Sequence, residues 1–399
     1  MKRRVSLQTW NWVRASGLLC GLMFLMLGSP TAEAYPQFQF ASGTQRCAQC
    51  HYAPAGYGLL TSWGRDESAD TISAWGGDGG LLHGKVNLPS AIALGGDLRY
   101  AVLENAVGGT GSPEFKAFPM QADLYARAAI GETGISIYAT GGIRGATRPE
   151  NGKAINHLTA FISREHFVMW KPSATGAYAR VGRFYAPYGL RLAEHVYFVR
   201  RYSGFNLYEE TYNVSGGYLA ENWELHLTGF TPPPASLPDP LQTVGQRGSG
   251  GAAFAEFRFN SMAMLGVQSR LSVSSDQRLI QGGTLGKVWV DRAKLLVMGE
   301  LDIQRHDVRG GTIGYNQLIS YLSVTMFPIK GLMAAAVMER YQEDMRVIST
   351  ARTAFDLQLN LFPIAHCEVM LFGRYQFPGS GGADGDSASL GMLQLHYYL

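Results

Sequence analysis

The chain has little charge, few cysteines and almost no long apolar runs. Asp, Glu, Lys and Arg make up 16% of its 399 residues, whereas roughly 25% is usual in a soluble domain. Four cysteines are too few for a disulfide-bonded scaffold, and a hydrophobic content of 46% excludes a disordered chain. A helical membrane bundle is excluded because a single apolar run approaches membrane-spanning length, at the N terminus. A large β-rich protein or an α/β enzyme remains.

Residues 1–34 have the layout of a secretory signal peptide. Basic residues at positions 2–4 and Arg14 precede an apolar run from Leu18 to Leu27, and a small-residue cleavage site lies before Tyr35. Its removal takes away four of the 34 basic residues and one of the 31 acidic residues, which leaves 30 of each. A neutral mature chain lacks the basic stripe typical of nucleic-acid binding, so we expect no nucleic-acid partner.

The run Cys47-Ala48-Gln49-Cys50-His51 is the attachment pattern of a c-type haem. Two thiols three positions apart can form thioethers to the vinyl groups of one porphyrin, and the adjacent imidazole can bind its iron. The sequence therefore predicts one covalent haem c on Cys47 and Cys50, with His51 as the proximal iron ligand.

Coincidence, a redox dithiol and a zinc site each account for this pattern less well than a haem does. With 4 Cys and 9 His in the chain, chance would produce it in roughly one sequence in a thousand. A redox pair of thioredoxin type needs a βαβ context, which is absent here. A zinc site needs a second pair of ligands.

The second axial ligand of the iron is left open by the sequence. Between His51 and Met120 the chain contains no methionine and one histidine, His83. A haem segment of residues 35–88 must use His83, take a ligand from elsewhere in the chain, or leave the iron five-coordinate. We take His83 as the candidate distal ligand; a solvent-facing linker histidine is the alternative. Two histidine ligands would lower the reduction potential relative to a His/Met pair.

Residues 89–399 show the pattern of a transmembrane β-barrel. Apolar and polar residues alternate in stretches of about ten, with no helical period. Trp223 and Leu225, for example, alternate with Glu224 and His226, so that one face suits lipid and the other suits water. A soluble sandwich or propeller is the alternative, but no repeat of blade length is visible.

We predict an all-β fold, a transmembrane β-barrel of about 16 strands with a small, plug-like N-terminal haem segment. An even strand number is typical of bacterial barrels. Long connections rich in Gly or Pro follow strands 1, 3, 5, 7 and 15, whereas those after even-numbered strands have at most about five residues. This phase places both termini on the periplasmic side. The predicted strands are 93–104, 120–131, 133–143, 157–170, 176–185, 207–219, 221–231, 250–260, 262–274, 281–290, 293–303, 312–326, 331–341, 352–362, 365–376 and 388–399.

Two stretches depart from the simple barrel pattern. The fourth predicted strand carries charge on both faces at 163–166, so we expect a bulge there or a strand end outside the membrane. The densest charged segment, Arg180 to Arg201, leads into the longest external loop. We interpret this as a solvated loop, with a constriction loop or a substrate face as alternatives.

Isolated polar residues on the inner face could also form a metal site. They include His226, His366, His396, Glu224 and Glu368. We interpret them as ordinary lining of a water-filled lumen, because such a lumen is polar by default.

Together, these features resemble a known family. Tyr35-Pro36-Gln37-Phe38, the haem motif, Pro54 and Gly64-Arg65, followed by a sixteen-strand pattern, are similar to the fused outer-membrane cytochrome-porins of iron-oxidising bacteria. The resemblance implies one-electron transfer across the outer membrane, with extracellular Fe(II) as donor and a periplasmic cytochrome as acceptor. It also implies the haem roles already given to Cys47, Cys50 and His51.

The expected function is therefore an outer-membrane electron conduit between an extracellular donor or acceptor, such as Fe(II), and periplasmic cytochromes. An apolar band about 25 Å tall would insulate a haem docked below the barrel, so we predict that residues 35–88 enter the lumen. Lipid of the outer membrane is the other expected partner. Two alternatives are a diffusion porin for small solutes with an accessory haem plug or sensor, and a haem enzyme with an open iron site.

Overall fold

The computed structural model of the chain describes residues 36–107, 114–143, 161–206, 209–233, 248–309, 314–380 and 387–399. The predicted signal peptide and its cleavage site lie outside the described residues. Most of the described chain is one antiparallel β-sheet closed into a barrel. Its strands are β1 (Ile92–Val107), β2 (Glu114–Ala129), β3 (Ile135–Ile143), β4 (Phe161–Ile162), β5 (His166–Trp170), β6 (Gly176–Phe184), β7 (Thr211–Leu219), β8 (Trp223–Thr231), β9 (Ser249–Asn260), β10 (Ala263–Val273), β11 (Gln277–Val290), β12 (Leu295–Val308), β13 (Gly314–Ile329), β14 (Leu332–Gln342), β15 (Ala351–Leu361), β16 (Cys367–Pro378) and β17 (Ala388–Tyr398).

The barrel has sixteen strand positions, because β4 and β5 both pair with β3 and share one position. The first and last strands close the ring, with Asp97 opposite Tyr398 and Val107 opposite Ala388. Closure pairs the strand edges that would otherwise be open to other chains. The predicted all-β barrel of about 16 strands is confirmed.

The fourth strand position is interrupted where the sequence places charge on both faces. Residues 163–165 separate β4 from β5. Arg164, in this break, lies with its Nη1 3.2 Å from Asp123 and its Nε 3.0 Å from Glu210. Both acids are buried on the inner side, so the break pairs the charge within the protein instead of exposing it to lipid. Residues 157–160 of the predicted strand lie outside the described part of the chain.

The alternation of side chains sets the two faces of the wall, as predicted. In β8 the apolar side chains of Trp223, Leu225 and Leu227 are exposed, whereas Glu224 and His226 are each 1% exposed. Period-two alternation is a property of extended backbone, so this pattern fixes which residues face lipid. The inner polar residues are hydrogen-bonded to one another, with His226 Nε2 3.1 Å from Glu224 Oε1.

The two ends of the barrel differ in their connections. At one end, the short-turn end, the connections are residues 130–134, 171–175, 220–222, 261–262, 291–294, 330–331 and 362–366. Both described chain ends of the barrel, Ile92 and Leu399, lie at this end. The opposite, long-loop end carries the connection between Phe184 and Thr211.

The N-terminal segment, residues 36–91, occupies the lumen from the short-turn end. Gln39 lies 3.3 Å from the inward-facing Glu256, and the Leu59 amide donates to the Tyr138 hydroxyl at 3.1 Å. At the rim, the amides of Ala74 and Trp75 donate to carbonyls in the turn 362–366. The segment is thus held both inside the wall and at its edge.

The helices of the described residues are short. The α-helices are α1 (Cys47–Cys50), α2 (Ser62–Glu67) and α3 (Phe198–Arg201), with a π-helical turn at Ser68–Ile72 and 3₁₀ turns at Pro36–Phe38, Asp291–Ala293 and Ile348–Thr350. None of the helices in the described ranges is long and apolar enough to cross a membrane.

The connection after β6 folds into the lumen, so its interpretation as a solvated loop is wrong. We call residues 185–206 the inserted loop. Tyr197 is 0% exposed and Phe198 is 1% exposed; both pack against inward-facing side chains of β13 to β16. The Leu190 amide donates to Glu300 at 2.7 Å. Aromatic residues inside the loop, and not its charges, decide where it lies, because each fully buried aromatic side chain contributes about 1.5–3 kcal/mol.

Candidate functional site

The predicted haem motif forms a single helical turn. In α1 the His51 amide donates to the Cys47 carbonyl at 2.9 Å, and the Gln49 side chain accepts from the Arg46 amide at 2.9 Å. The backbone of His51 is extended, with φ −117°. Residues three apart in a helical turn lie on one face, so the two thiols lie on the same side of α1. The helical turn ends at His51, which carries the imidazole.

Helix α2 packs directly on this turn. The Thr61 amide donates to the Cys50 carbonyl at 2.9 Å, and the Thr61 hydroxyl donates to the Gln49 carbonyl at 2.7 Å. A Cβ atom at Gly64 would lie 2.9 Å from the Cys50 Cα. Glycine is therefore required at this position of α2 for the two helices to touch.

A cavity of about 50 Å³, the motif cavity, lies beside Cys47, Cys50 and His51. A Cβ atom on Gly56, where φ is +83°, would lie 3.4 Å from the Cys47 Cβ and 3.9 Å from the His51 Cδ2. Glycine therefore keeps space open against the motif. The other lining residues come from the N-terminal segment and the inserted loop and are Pro36, Phe38, Gln39, Thr44, Arg46, Ala55, Tyr57, Leu190 and Arg191.

Burial keeps the three motif side chains uncharged at neutral pH. It raises the pKa of the Cys47 thiol and raises that of Cys50 to about 12. His51 is 2% exposed, and burial lowers its pKa to about 4, against a smaller opposing effect of the Tyr57 and Gly58 backbone. A redox-active cysteine pair requires a depressed thiol pKa, whereas a metal-binding histidine requires neutral imidazole. The electrostatics therefore favour an iron ligand over a reactive dithiol.

The donor set of the motif cavity fits a c-type haem. Neither ring nitrogen of His51 makes a hydrogen bond of normal geometry, although buried polar atoms are nearly always paired. An iron atom would satisfy one of these nitrogens, and the neutral thiols of Cys47 and Cys50 are unpaired with each other and free to form thioethers. The present cavity has room for a few water molecules, so a bound haem would need additional space beside the motif.

His83 is placed away from this cavity lining. Its ring centroid lies 5.4 Å from that of His366, in the short turn before β16, in an edge-to-face arrangement. His366 is itself 3.1 Å from the Asp78 carbonyl. Among the described residues, those lining the motif cavity include no histidine other than His51 and no methionine. The structure thus brings Cys47, Cys50 and His51 together and leaves His83 at the rim, where its role as distal ligand stays a prediction.

Arg191, in the inserted loop, is a site residue that the motif does not reveal. Its Nη2 lies 3.3 Å from Glu224 and 3.3 Å from Glu256, and its Nη1 donates to the Ala55 carbonyl at 3.2 Å. It therefore ties the inserted loop both to the wall and to the N-terminal segment. The density of charge between Arg180 and Arg201 was the signal for it, but the sequence does not show that the charges turn inward.

A second cavity, the loop cavity of about 30 Å³, adjoins the motif cavity. The two share five wall residues, which are Ala55, Gly56, Tyr57, Leu190 and Arg191. The rings of Tyr57 and Tyr185 lie 6.0 Å apart at its edge. Further residues of the inserted loop and the inward-facing residues Glu165, Arg180 and Glu300 complete its wall.

The fold is similar to that of outer-membrane barrels of known structure. OmpT of Vibrio cholerae matches with a TM-score of 0.58 and 11% identity, over 79% of this chain and 100% of that protein. An anion-selective porin from Comamonas acidovorans matches with a TM-score of 0.57 and 12% identity, over 77% and 99%. OprB of Pseudomonas putida matches with a TM-score of 0.57 and 11% identity, over 77% and 94%. At such identities the similarity shows the fold.

No protein-family model and no curated protein sequence matches the chain.

Proposed function

We propose that this protein carries single electrons across the bacterial outer membrane through a covalent haem held inside its barrel. The observation that carries the proposal is the burial of Cys47, Cys50 and His51 beside one cavity, with neither His51 ring nitrogen in a hydrogen bond of normal geometry. A bound haem would supply an iron that gains and loses one electron. The protein would supply the thiols, the imidazole and a water-poor lumen around them.

The position of the motif supports transfer across the membrane. The apolar band of a barrel is about 25 Å tall, too wide for an electron to cross from a haem outside it. Gln39 and Leu59 of the N-terminal segment contact inward-facing residues of the barrel, which supports a haem inside the lumen. We assign the short-turn end to the periplasm and the long-loop end to the outside, where Fe(II) is the donor implied by the family resemblance.

A diffusion porin remains the second candidate, because the fold is shared with porins. The filling of the lumen argues for the conduit instead. The inserted loop places Leu190, Leu192, Tyr197 and Phe198 in one apolar cluster with inward-facing residues of the wall and with Phe40 of the N-terminal segment. Solutes would have to displace this cluster, whereas electrons would not.

The face of the N-terminal segment at the short-turn end suits a positively charged electron carrier. Trp75 is 79% exposed and Trp63 is 52% exposed. Three acidic side chains are also exposed, those of Asp66, Asp70 and Asp78. They lie near the tryptophans because the backbone of residues 73–79 packs back onto α2 and the following turn. Tryptophan is enriched at protein docking sites, and these three acidic side chains would attract a basic partner; Lys85 of the same segment is exposed as well. We assign periplasmic cytochromes with a basic face as the acceptors.

The first experiment is a haem stain and a reduced-minus-oxidised spectrum on purified outer membranes. The unaltered protein is compared with the Cys47→Ser/Cys50→Ser variant, and Cys367→Ser serves as the matched control because it removes a free thiol outside the motif. We expect covalent haem in the unaltered and control proteins and none in the double variant. Absence of haem from the unaltered protein would overturn the proposal.

A second experiment separates conduit from porin. Fe(II) is added outside proteoliposomes that enclose an oxidised basic cytochrome c, and swelling in small sugars is measured on the same preparation. The conduit predicts that the enclosed cytochrome becomes reduced while Fe(II) becomes Fe(III), with sugar permeation close to that of empty liposomes. Rapid swelling without reduction would establish the porin function.

A further inference from the structure

We propose that Arg180, on the inner face of β6, binds a propionate carboxylate of the haem within the loop cavity. The inference rests on the proposed covalent haem and adds to it a specific anion-binding side chain. It follows from a buried guanidinium without a hydrogen-bond partner, from the shared wall of two neighbouring cavities and from the charge of the ligand that the motif implies.

The guanidinium of Arg180 is buried without a polar partner. The side chain is 3% exposed, and its Nε and Nη2 atoms are buried with no hydrogen-bond partner. Its carbon Cζ lies 3.6 Å from the ring centroid of Phe184 and 5.0 Å from that of Phe167. No acidic oxygen of the described residues lies within 4.0 Å of its nitrogens. The carboxylate of Glu165 interacts with this guanidinium over a longer distance but forms no direct ion pair, and a buried charge that is incompletely paired is destabilising, so this side chain is available to a closer anion.

The other arginines of the loop cavity already have partners. Arg191 pairs with Glu224 and Glu256. Arg200 donates to the Phe205 carbonyl at 2.9 Å and to the Leu192 carbonyl at 2.9 Å. Among the described residues that line the loop cavity, Arg180 is the arginine that retains free donors.

The loop cavity is where the far side of a haem would lie. Thioethers at Cys47 and Cys50 fix the vinyl side of the macrocycle, and the two propionates leave from other positions on the ring. The motif cavity and the loop cavity share the wall residues Gly56, Tyr57 and Leu190. In the proposed arrangement a propionate extends past this shared wall to Arg180, which lines the loop cavity and whose planar fork of N–H groups matches a carboxylate in bidentate geometry.

Arg46 is the competing cation, because its Nη1 atom is buried without a partner beside the motif cavity. It directly precedes Cys47 and so lies at the thioether side of the macrocycle. Glu165, which also lines the loop cavity, is the competing anion, since it could turn toward Arg180 in place of a propionate. Substitution of each residue decides between these alternatives.

The test compares the haem midpoint potential of the full-length, purified protein with that of Arg180→Gln, Arg180→Lys and Arg270→Gln. Arg270 is the matched control, because it is a buried inner-face arginine over Phe205 and Phe230 that lines neither cavity. Loss of the cation beside the propionate destabilises the reduced haem. We expect Arg180→Gln to shift the equilibrium toward ferric haem about tenfold, which is 59 mV for one electron, with Arg180→Lys retaining part of the potential.

A second readout is the pH profile of the potential. With Arg180 present, the propionate stays ionised and the potential is flat between about pH 5 and 7. In Arg180→Gln the propionate takes up a proton more readily when the iron is reduced, so the potential rises as the pH falls. A structural role for Arg180 would not create this slope. A change in the gel mobility of the barrel on heating confirms that the variant is folded.

The outcomes separate the alternatives. An unchanged potential and flat profile in haem-bearing Arg180→Gln overturn the proposal, as does a shift found in Arg46→Gln instead. A lowered potential with a flat pH profile in Arg180→Gln, together with a rise of similar size in Glu165→Gln, assigns Arg180 to Glu165 and also overturns the proposal. Dependence of the potential of the unaltered protein on added sodium propionate would place free carboxylates, and not a haem propionate, in the cavity, which again overturns it. Absence of covalent haem from the unaltered protein would refute the proposed function itself.

Discussion

The docking of the inserted loop can be tested by removing the ring of Phe198. Phe198 is the first residue of α3 and is 1% exposed. Its ring centroid lies 6.2 Å from that of Tyr341 and 4.8 Å from the guanidinium carbon of Arg374. Replacing a buried Phe by Ala costs about 3–5 kcal/mol. The loss acts on the docked loop, because the hydrogen-bonded ring of strands is untouched. Since about 1.4 kcal/mol is a factor of ten, the ratio of docked to undocked loop should fall by roughly 10²- to 10⁴-fold.

The assay measures conductance of the Phe198→Ala protein in planar bilayers, together with protease cleavage from the long-loop side. We expect frequent open-channel events and cleavage within residues 185–206, both rare in the unaltered protein. Phe355→Ala is the control, since Phe355 is 48% exposed on the lipid-facing side of β15. A folded Phe198→Ala barrel that stays closed and resists protease would refute the view that the aromatic cluster holds the loop.

Three further predictions concern the N-terminal segment. Gly64→Ala should reduce the amount of covalent haem per barrel, because its methyl group would lie 2.9 Å from the Cys50 Cα and such overpacking costs about 1–3 kcal/mol. Gly391→Ala is the control; a Cβ atom there meets nothing within 4 Å, so the haem stain should be unchanged. In the haem-free double-serine variant, acid should release the segment, because burial lowers the pKa of His51 from 6.5 to about 4. The docked state therefore has its full stability above pH 6.5 and loses about 3 kcal/mol in all as the pH falls toward 4. Hydrogen exchange of residues 47–60 that does not change over this range would contradict this. Trp75→Ser should slow electron transfer to a basic cytochrome c without altering the haem spectrum. Trp170→Ser, on the outer face of β5, should not slow this transfer. Equal rates in the unaltered protein and both variants would remove Trp75 from the docking face.

The faces of the barrel could be predicted because they depend on local geometry. Trp223 and Glu224 lie on opposite sides of β8 for the same reason that any two neighbours in an extended chain do. Loop length gave the two ends in the same way. The start of β7 was missed by four residues, since Thr211 begins it and not residue 207. The inserted loop, residues 185–206, precedes this strand, and its course depends on packing inside the lumen.

The motif could also be predicted, because one helical turn is enough to place Cys47, Cys50 and His51 together. The distal ligand of the iron could not be predicted in this way. His83 lies against His366, a residue 283 positions later in the chain, and no spacing in the sequence encodes that contact. Arg191 was visible as part of a charged run, but its pairing with Glu224 and Glu256 requires strands from another part of the ring.

The sequence by itself thus determined the alternating strands, the number of strand positions and the order of the haem motif, all of which arise from interactions between near neighbours in the chain. Only the tertiary structure decided that the inserted loop fills the lumen, that His51 is buried with unpaired nitrogens and that Arg180 is left without a partner. These features depend on the closure of sixteen strand positions into a ring. Closure brings residues far apart in sequence into one enclosed space, where burial sets the cost of every unpaired charge.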